Sequence, residues 1–516
     1  MINDNSKSRE FTKISTGIQG FDNICEGGLP EIRTTLVSGT TGSGKTIFAA
    51  QFLAHCIENE NSGAVFVTFE ESPEDIRRNL INLGWDIRNW EENGKWTFVD
   101  ASPETGEEVI IGDNYDLGAL LVRIEHAIRK VNASRVAIDS ISAILARFDS
   151  ETIVRRDLLR IVTSLKKLMV TSVITVERTE EYGSIARFGV EEFVADNVII
   201  LRNVLESEKR RRTIEILKFR GAPHKKGEYP FTINPGEGII TIPISSLELK
   251  QKSSDIRIHT GNEKLNKMCG GGFFRNSIIL VSGATGTGKT LTATEFLAGG
   301  AFNGEKAMLF AFEESREQFF RNAVGWGVDL GKLEAQNKLK VICLYPETAG
   351  LEDHLIYMKK EIEKFKPNRI AIDSMSALQR VSTLKGFREF VMGLTSFIKH
   401  EEIAGMFTST TPTLMGGPSV TEAHISSITD TIILLRYVEV YGEMRRGLTV
   451  LKMRGSIHDK EIREFTIDGQ GMHLTRPFRN ITGILSGHAM HVAPEEINRL
   501  SNLFPESQGR VFDDGI

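Results

Sequence analysis

Eight residues occur twice in this chain with the spacing of a phosphate cradle. Gly39, Thr40, Thr41, Gly42, Ser43, Gly44, Lys45 and Thr46 make the first copy. Gly283, Ala284, Thr285, Gly286, Thr287, Gly288, Lys289 and Thr290 make the second. Both satisfy G-x-x-x-x-G-K-[ST]. The glycines let backbone N–H groups curl around phosphate oxygens, the lysine reaches the outer phosphates, and the last threonine offers its hydroxyl to Mg²⁺. Two such loops predict two nucleotide sites on one polypeptide.

Other chemistry repeats behind the loops. Asp139 and Asp373 each end an apolar run, where a carboxylate can hold the Mg²⁺ shell. Glu70 with Glu71, and Glu313 with Glu314, each follow another apolar run. Neighbours on a strand face opposite sides, so one of each pair is expected to face the phosphates and orient or deprotonate a nucleophile. A lone acidic pair would read as a solvated strand end; its recurrence favours catalysis. Lys218 with Arg220, and Lys452 with Arg454, sit two apart on β-like runs, so each pair shares a face. In an assembly they could stabilise a transferring phosphoryl group in a neighbour's site; salt bridging within the chain is the equal alternative.

The elements that must position these groups also repeat. Lys45 and Lys289 stand 244 apart, Glu70 and Glu313 stand 243 apart, and Asp139 and Asp373 stand 234 apart, as do Lys218 and Lys452. The chain therefore reads as one domain duplicated, with the second copy shortened before its Asp strand. Short β-branched runs alternate with amphipathic stretches. That pattern predicts an α/β fold: two tandem P-loop domains, each a mostly parallel twisted sheet flanked by helices. The boundaries expected are 1–244 and 258–480, joined by a polar linker at 245–257 and followed by a divergent tail at 481–516.

The bulk numbers agree. At 516 residues more than one core is expected. The apolar fraction of 40% and charged fraction of 25% suit a soluble globular protein. A net charge of −5 argues against broad attraction to nucleic acid. Cys25, Cys56, Cys269 and Cys343 form no CxxC pair and read as reduced apolar residues. No signal-peptide core or bilayer-spanning run is present, so a cytoplasmic location is expected.

These residues closely resemble the KaiC family of double-domain, RecA-like ATPases and autokinases, from Thr16-Gly17-Ile18-Gln19-Gly20-Phe21-Asp22 to about Gly487. The stretches Lys226-Gly227-Glu228-Tyr229-Pro230-Phe231, Tyr345-Pro346-Glu347 and His424-Ile425-Ser426-Ser427-Ile428-Thr429-Asp430 carry the likeness. The resemblance implies a homohexameric ring with ATP and Mg²⁺ between subunits and a role in a clock, timer or stress response. It implies ATP hydrolysis at the first site, using Glu70 and Glu71. At the second it implies autokinase and autophosphatase activity, with Glu313 accepting the proton of Ser427 or Ser426 of the adjacent subunit. Thr421 matches a third family hydroxyl. The family pair is Ser-Thr; here it is Ser-Ser, while the first half has Glu192 and Phe193.

By position the resemblance also carries over nucleotide contacts at Lys218, Phe219, Arg220 and His224, and at Trp326, Arg446, Lys452, Met453, Arg454, Ser456 and His458. Metal contacts follow at Thr46, Asp139, Thr290, Glu313 and Asp373. The segment Gly106–Gly112 resembles the docking loop for KaiB. The tail from His488 diverges, so KaiA binding is not carried over, and the chain reads as a homologue of non-cyanobacterial type. Two rivals are a RecA-like DNA-dependent motor or recombinase, with Lys209-Arg210-Arg211-Arg212 lining a pore, and a nucleotide-gated scaffold without kinase chemistry.

Overall fold

The computed structural model describes residues 12–102, 117–145, 150–186, 189, 191–206, 209–242, 254–412, 425–479, 481–485 and 490–491. Gly106–Gly112, Thr421, Ser486–Gly487, His488 and the tail beyond His491 lie outside the described residues, as does most of the expected linker. The chain divides into two compact units, Met1–Ser246 and Leu247–Ile516.

In the first unit nine strands form one sheet in the order Gly238–Thr241, Glu228–Asn234, Lys209–Phe219, Asn197–Glu206, Thr34–Gly39, Thr171–Glu177, Ala133–Asp139, Gly63–Thr68, Trp96–Asp100. The last six are parallel neighbours and the first three are antiparallel additions. Helices cover both faces. The strand Gly63–Thr68 shows why it reads as a continuous apolar run: Ala64 and Phe66 enter one core cluster, Val65 and Val67 the other. The helix Lys45–Glu60 presses Phe48, Phe52 and Leu53 into the first cluster. The helices Leu117–Val131 and Glu151–Lys167 close the opposite face.

The second unit repeats this order, read from the opposite edge, with Leu339–Cys343, Ala307–Ala311, Arg369–Asp373, Ala404–Thr410, Ile278–Gly283, Thr431–Val440, Glu443–Met453, Arg463–Asp468 and Gly471–Pro477. It begins with the strand Arg257–Ile258, so Arg257, expected in the linker, already pairs with Phe274. Beyond residue 480, Ile481–Thr482 pairs with Met490–His491, and Ile484 packs near Val438 and Val440.

The phosphate loops fall where a parallel sheet places a ligand, at the carboxyl end of a central strand. Gly44 and Gly288, at φ 96° and 103°, precede the loop helices in a conformation that disfavours any side chain. No side chain caps either helix start, so the first-turn N–H groups face the loop. All four cysteines are free. Among the described residues no helix is long and apolar enough to cross a membrane.

Candidate functional site

At the first loop Lys45 turns back on its own cradle, donating to Thr40 O at 3.0 Å. Burial pulls its pKa down, and the nearby charges of Glu177, Asp139 and Glu70 oppose that. Lys289 repeats the posture on Ala284 O at 2.9 Å. Its pKa too is lowered by burial, against Asp373 and Glu313. Ser43 and Thr287 tie each cradle internally through Thr40 O and Ala284 O, both at 2.7 Å.

Asp139 and Asp373 are buried, each ending a strand one removed from its own unit's loop strand. Burial pushes both carboxyls up; hydrogen bonds from Thr175 and Thr46 on Asp139, and from Thr408 and Thr290 on Asp373, hold them down. A carboxylate beside the loop threonine is the oxygen donor set that suits Mg²⁺, which takes its remaining ligands from water and phosphate. Among the described residues no three His, Cys, Asp or Glu side chains group as a self-sufficient metal cage.

The acidic pairs lie just beyond strands that end at Thr68 and Ala311, in the turn before the next helix. Strand alternation therefore does not separate Glu70 from Glu71 or Glu313 from Glu314. What separates them is partners. Glu313 accepts from Arg380 at 2.8 Å, and Glu314 from Asn322 at 3.1 Å. Glu70 reaches solvent, yet partial burial and the charges of Glu177 and Asp139 push its carboxyl up, against Lys45. Glu71 and Glu314 are also raised, first by partial burial, then by Asp139 and Asp373 respectively.

The remaining expected contacts separate along the sheet. Arg446 stays near the loop: its Nε donates to Gly286 O at 3.4 Å. Arg212 does the same to Gly42 O at 3.2 Å. Arg212 was legible only as part of a basic run, although it stands 234 before Arg446. Trp326 borders a cavity of about 710 Å³ also lined by Glu295, Asn262 and Met472.

The other group gathers at the opposite end. Thr431 pairs with Ile279 at the start of the loop strand, whereas Gly283 pairs with Leu435 at its end. Ser426 and Ser427, in a 3₁₀ turn just before Thr431, therefore lie roughly 15 Å from their own phosphate loop at about 3.3 Å per residue. Lys452 Nζ donates to Ser426 O and Thr429 O at 2.9 and 2.8 Å, and Arg454 to Ser427 O at 2.8 Å. Within one chain these cations grip the backbone of the serine segment. Asp430 anchors its end on Ile278 N–H and Lys399.

A bulge between Ile432 and Ile433 exposes Leu451 and re-aims Lys452. The first unit has the same bulge after Val198, and there Lys218 grips Glu192 O and Ala195 O at 2.7 and 2.8 Å. Ser427 is exposed and Ser426 half-buried; Phe193, in the matching place, is 60% exposed. Phe219 and Met453 are buried in their own cores, and their backbones pair with Asn197 and Thr431. His224 packs on Phe219 at 5.6 Å, and burial lowers its pKa. Ser456 accepts from Arg257 at 2.6 Å, and His458 is half-buried. Arg220 is exposed. In the basic run, Arg210 donates to Asn203 O at 2.8 Å while Arg212 serves the loop.

Two residues at the first loop escaped sequence reasoning. Glu177 stands 4.0 Å from Lys45, and Glu181 accepts from Thr40 Oγ1 at 2.6 Å. Neither is repeated in the second half, so a search for repeated motifs passes over them.

The KaiC ATPase family model matches residues 14–246 and again 258–477. The circadian clock protein KaiC3 of Synechocystis sp. is 64% identical over 494 residues, covering 96% of this chain and 98% of that protein. The circadian clock oscillator protein KaiC of Thermostichus vulcanus is 54% identical over 496 residues, 96% of this chain and 95% of that one. That of Synechococcus elongatus is 53% identical over 502 residues, 97% and 96% respectively. With two RecA-like units, two complete phosphate loops and relatives matched end to end, the chain belongs to the KaiC family of ATPases.

Proposed function

We infer that this protein is a ring-forming ATPase and serine autokinase, in which ATP held by one subunit phosphorylates Ser426 or Ser427 of the next. The observation that carries the reading is the opposed placement of loop and serines on one sheet. A chain whose acceptors lie at the far strand ends cannot present them to its own γ-phosphate, but a neighbour stacked end to side can. The Lys452 and Arg454 grip on the serine segment supports it, because it leaves Ser427 on the surface with a fixed backbone.

In the transfer, the serine oxygen bonds to the γ-phosphorus while the bond to the β,γ-bridging oxygen breaks. The serine proton goes to Glu313, and ADP leaves with the electron pair. Lys289 offsets charge on the transferring group. Thr290 and Asp373 would hold Mg²⁺, which supplies charge neutralisation of the phosphate oxygens. At the first site water replaces serine and Glu70, aided by Glu71, accepts its proton. Running the second reaction backward returns phosphate to ADP. A hexamer, a KaiB-like partner at the first unit's ring and a clock or timer role complete the reading, by analogy with the clock proteins it resembles.

The test is a mixing experiment with γ-labelled ATP and phosphosite mapping. Glu313→Gln chains retain acceptors, and Ser426→Ala/Ser427→Ala chains retain the donor site. Neither should label alone to more than a few per cent of the parent; mixed, label should appear on the serines of the Glu313→Gln chain. Label on the doubly substituted chain would refute the acceptors. Full labelling of a strictly monomeric chain would refute transfer between subunits.

A further inference from the structure

The first site carries a carboxylate where the second carries a hydroxyl. Glu177 ends its strand in register with Gly39, and Thr410 holds the same place beside Gly283. The backbone is fixed alike in both: Glu177 N–H donates to Ser142 Oγ and Thr410 N–H to Ser376 Oγ, each at 2.8 Å. Only the side chain has changed. Glu177 Oε1 lies 4.0 Å from Lys45 Nζ, with half its side chain open to solvent. Its strand lies between the loop strand and the Asp139 strand, and Glu70 follows the strand on the far side of Asp139. Two carboxylates thus flank the metal aspartate, and among the charges acting on Glu70 that of Glu177 is foremost.

A carboxylate cannot cradle a phosphate. Beside a phosphate already held by lysine, it can accept a hydrogen bond from water and aim the water's lone pair. A threonine hydroxyl in that place carries no charge and leaves the approach to another hydroxyl. We propose that Glu177 is a positioning residue of the first site, orienting the attacking water toward the γ-phosphorus together with Glu70, and that Thr410 in its place suits the second site to a serine acceptor. The inference rests on the reading that the first site hydrolyses ATP. In the step, the water oxygen bonds to the γ-phosphorus, the bond to the bridging oxygen breaks, ADP takes the electron pair, and the water proton passes to Glu70.

The experiment uses the full chain in a Glu313→Gln background, which silences transfer, and measures phosphate release against ATP concentration. Glu177→Thr should lower kcat about tenfold with KM within about twofold. Glu177→Asp should recover at least a third of the parent kcat. The reciprocal Thr410→Glu, in the otherwise unaltered chain, should lower serine labelling about tenfold and raise phosphate release by the second site, read in a Glu70→Gln background. An unchanged kcat in Glu177→Thr, or a loss confined to KM, would overturn the assignment. If Glu177→Thr does not fold, as judged by melting, Thr410→Glu decides alone, and unaltered labelling and release overturn it. Glu70→Gln separates the two failures: if hydrolysis survives that change, the reading of the first site is wrong; if hydrolysis is lost there yet unaffected by Glu177→Thr, only the role of Glu177 is.

Discussion

Each buried aspartate depends on two hydroxyls. Asp373 receives Thr290 and Thr408, and Asp139 receives Thr46 and Thr175. The loop threonine is the one assigned above to Mg²⁺, whereas Thr408 is support, and its loss would leave the carboxylate free to turn. Thr408→Val should raise the Mg²⁺ concentration for half-maximal serine labelling about tenfold, the usual cost of removing such a partner, with the melting temperature nearly unchanged. A titration of label against Mg²⁺ checks this. Residues of this kind show how far sequence reading goes. The loops and aspartates were legible because chemistry demands identical types in both halves. Glu177 and Thr410 were not, because their information lies in a difference, and because they stand 233 apart, one step off the offset that joins the aspartates. The acidic pairs were found, but their selection by strand alternation was not available: both lie past the strand ends, and neighbours such as Arg380 distinguish them instead.

At the level of elements, the duplicated helices after the loops carry a contrast of one atom. Gln51 braces the first helix against the final hairpin, accepting from Ile239 N–H at 2.7 Å and donating to Gly17 O at 3.0 Å. Glu295 fills the same cradle in the second unit, accepting from Met472 N–H at 2.6 Å. A carboxylate has no proton to donate unless it binds one, and burial pushes Glu295 up to about 7, against the Met472 N–H, Asn262 and the charge of His473. The acid's folded pKa lies above its ordinary value of 4.5. Its contribution is therefore fully present below that value and is lost as pH rises toward and through 7, a swing of about 3 kcal/mol. Glu295→Gln should supply the proton permanently. It should raise the melting temperature of the second unit at pH 8, change it little near pH 5, and flatten the profile between. A melting series across that range is the check. The mostly parallel sheet flanked by helices was readable from the alternation of runs. The matched bulges that aim Lys218 and Lys452 were not, since a bulge leaves no mark on hydrophobic pattern beyond an exposed leucine.

For the molecule as a whole, the proposed transfer puts the serines and the loop that serves them in different copies, so labelling should follow assembly. On dilution in saturating Mg²⁺–ATP, the rate of serine labelling per chain should fall in step with the loss of oligomer measured by light scattering. A concentration-independent rate would contradict transfer between chains. The same separation governs how copies meet. A two-fold pairing would have two copies serve each other reciprocally, and assembly would stop at two. The ring proposed above calls instead for a head-to-tail contact, and a head-to-tail contact that closes has a sense of circulation. In such a ring phosphate would travel one way round, and the modification written on a subunit would record the fuel state of its neighbour on one particular side rather than its own.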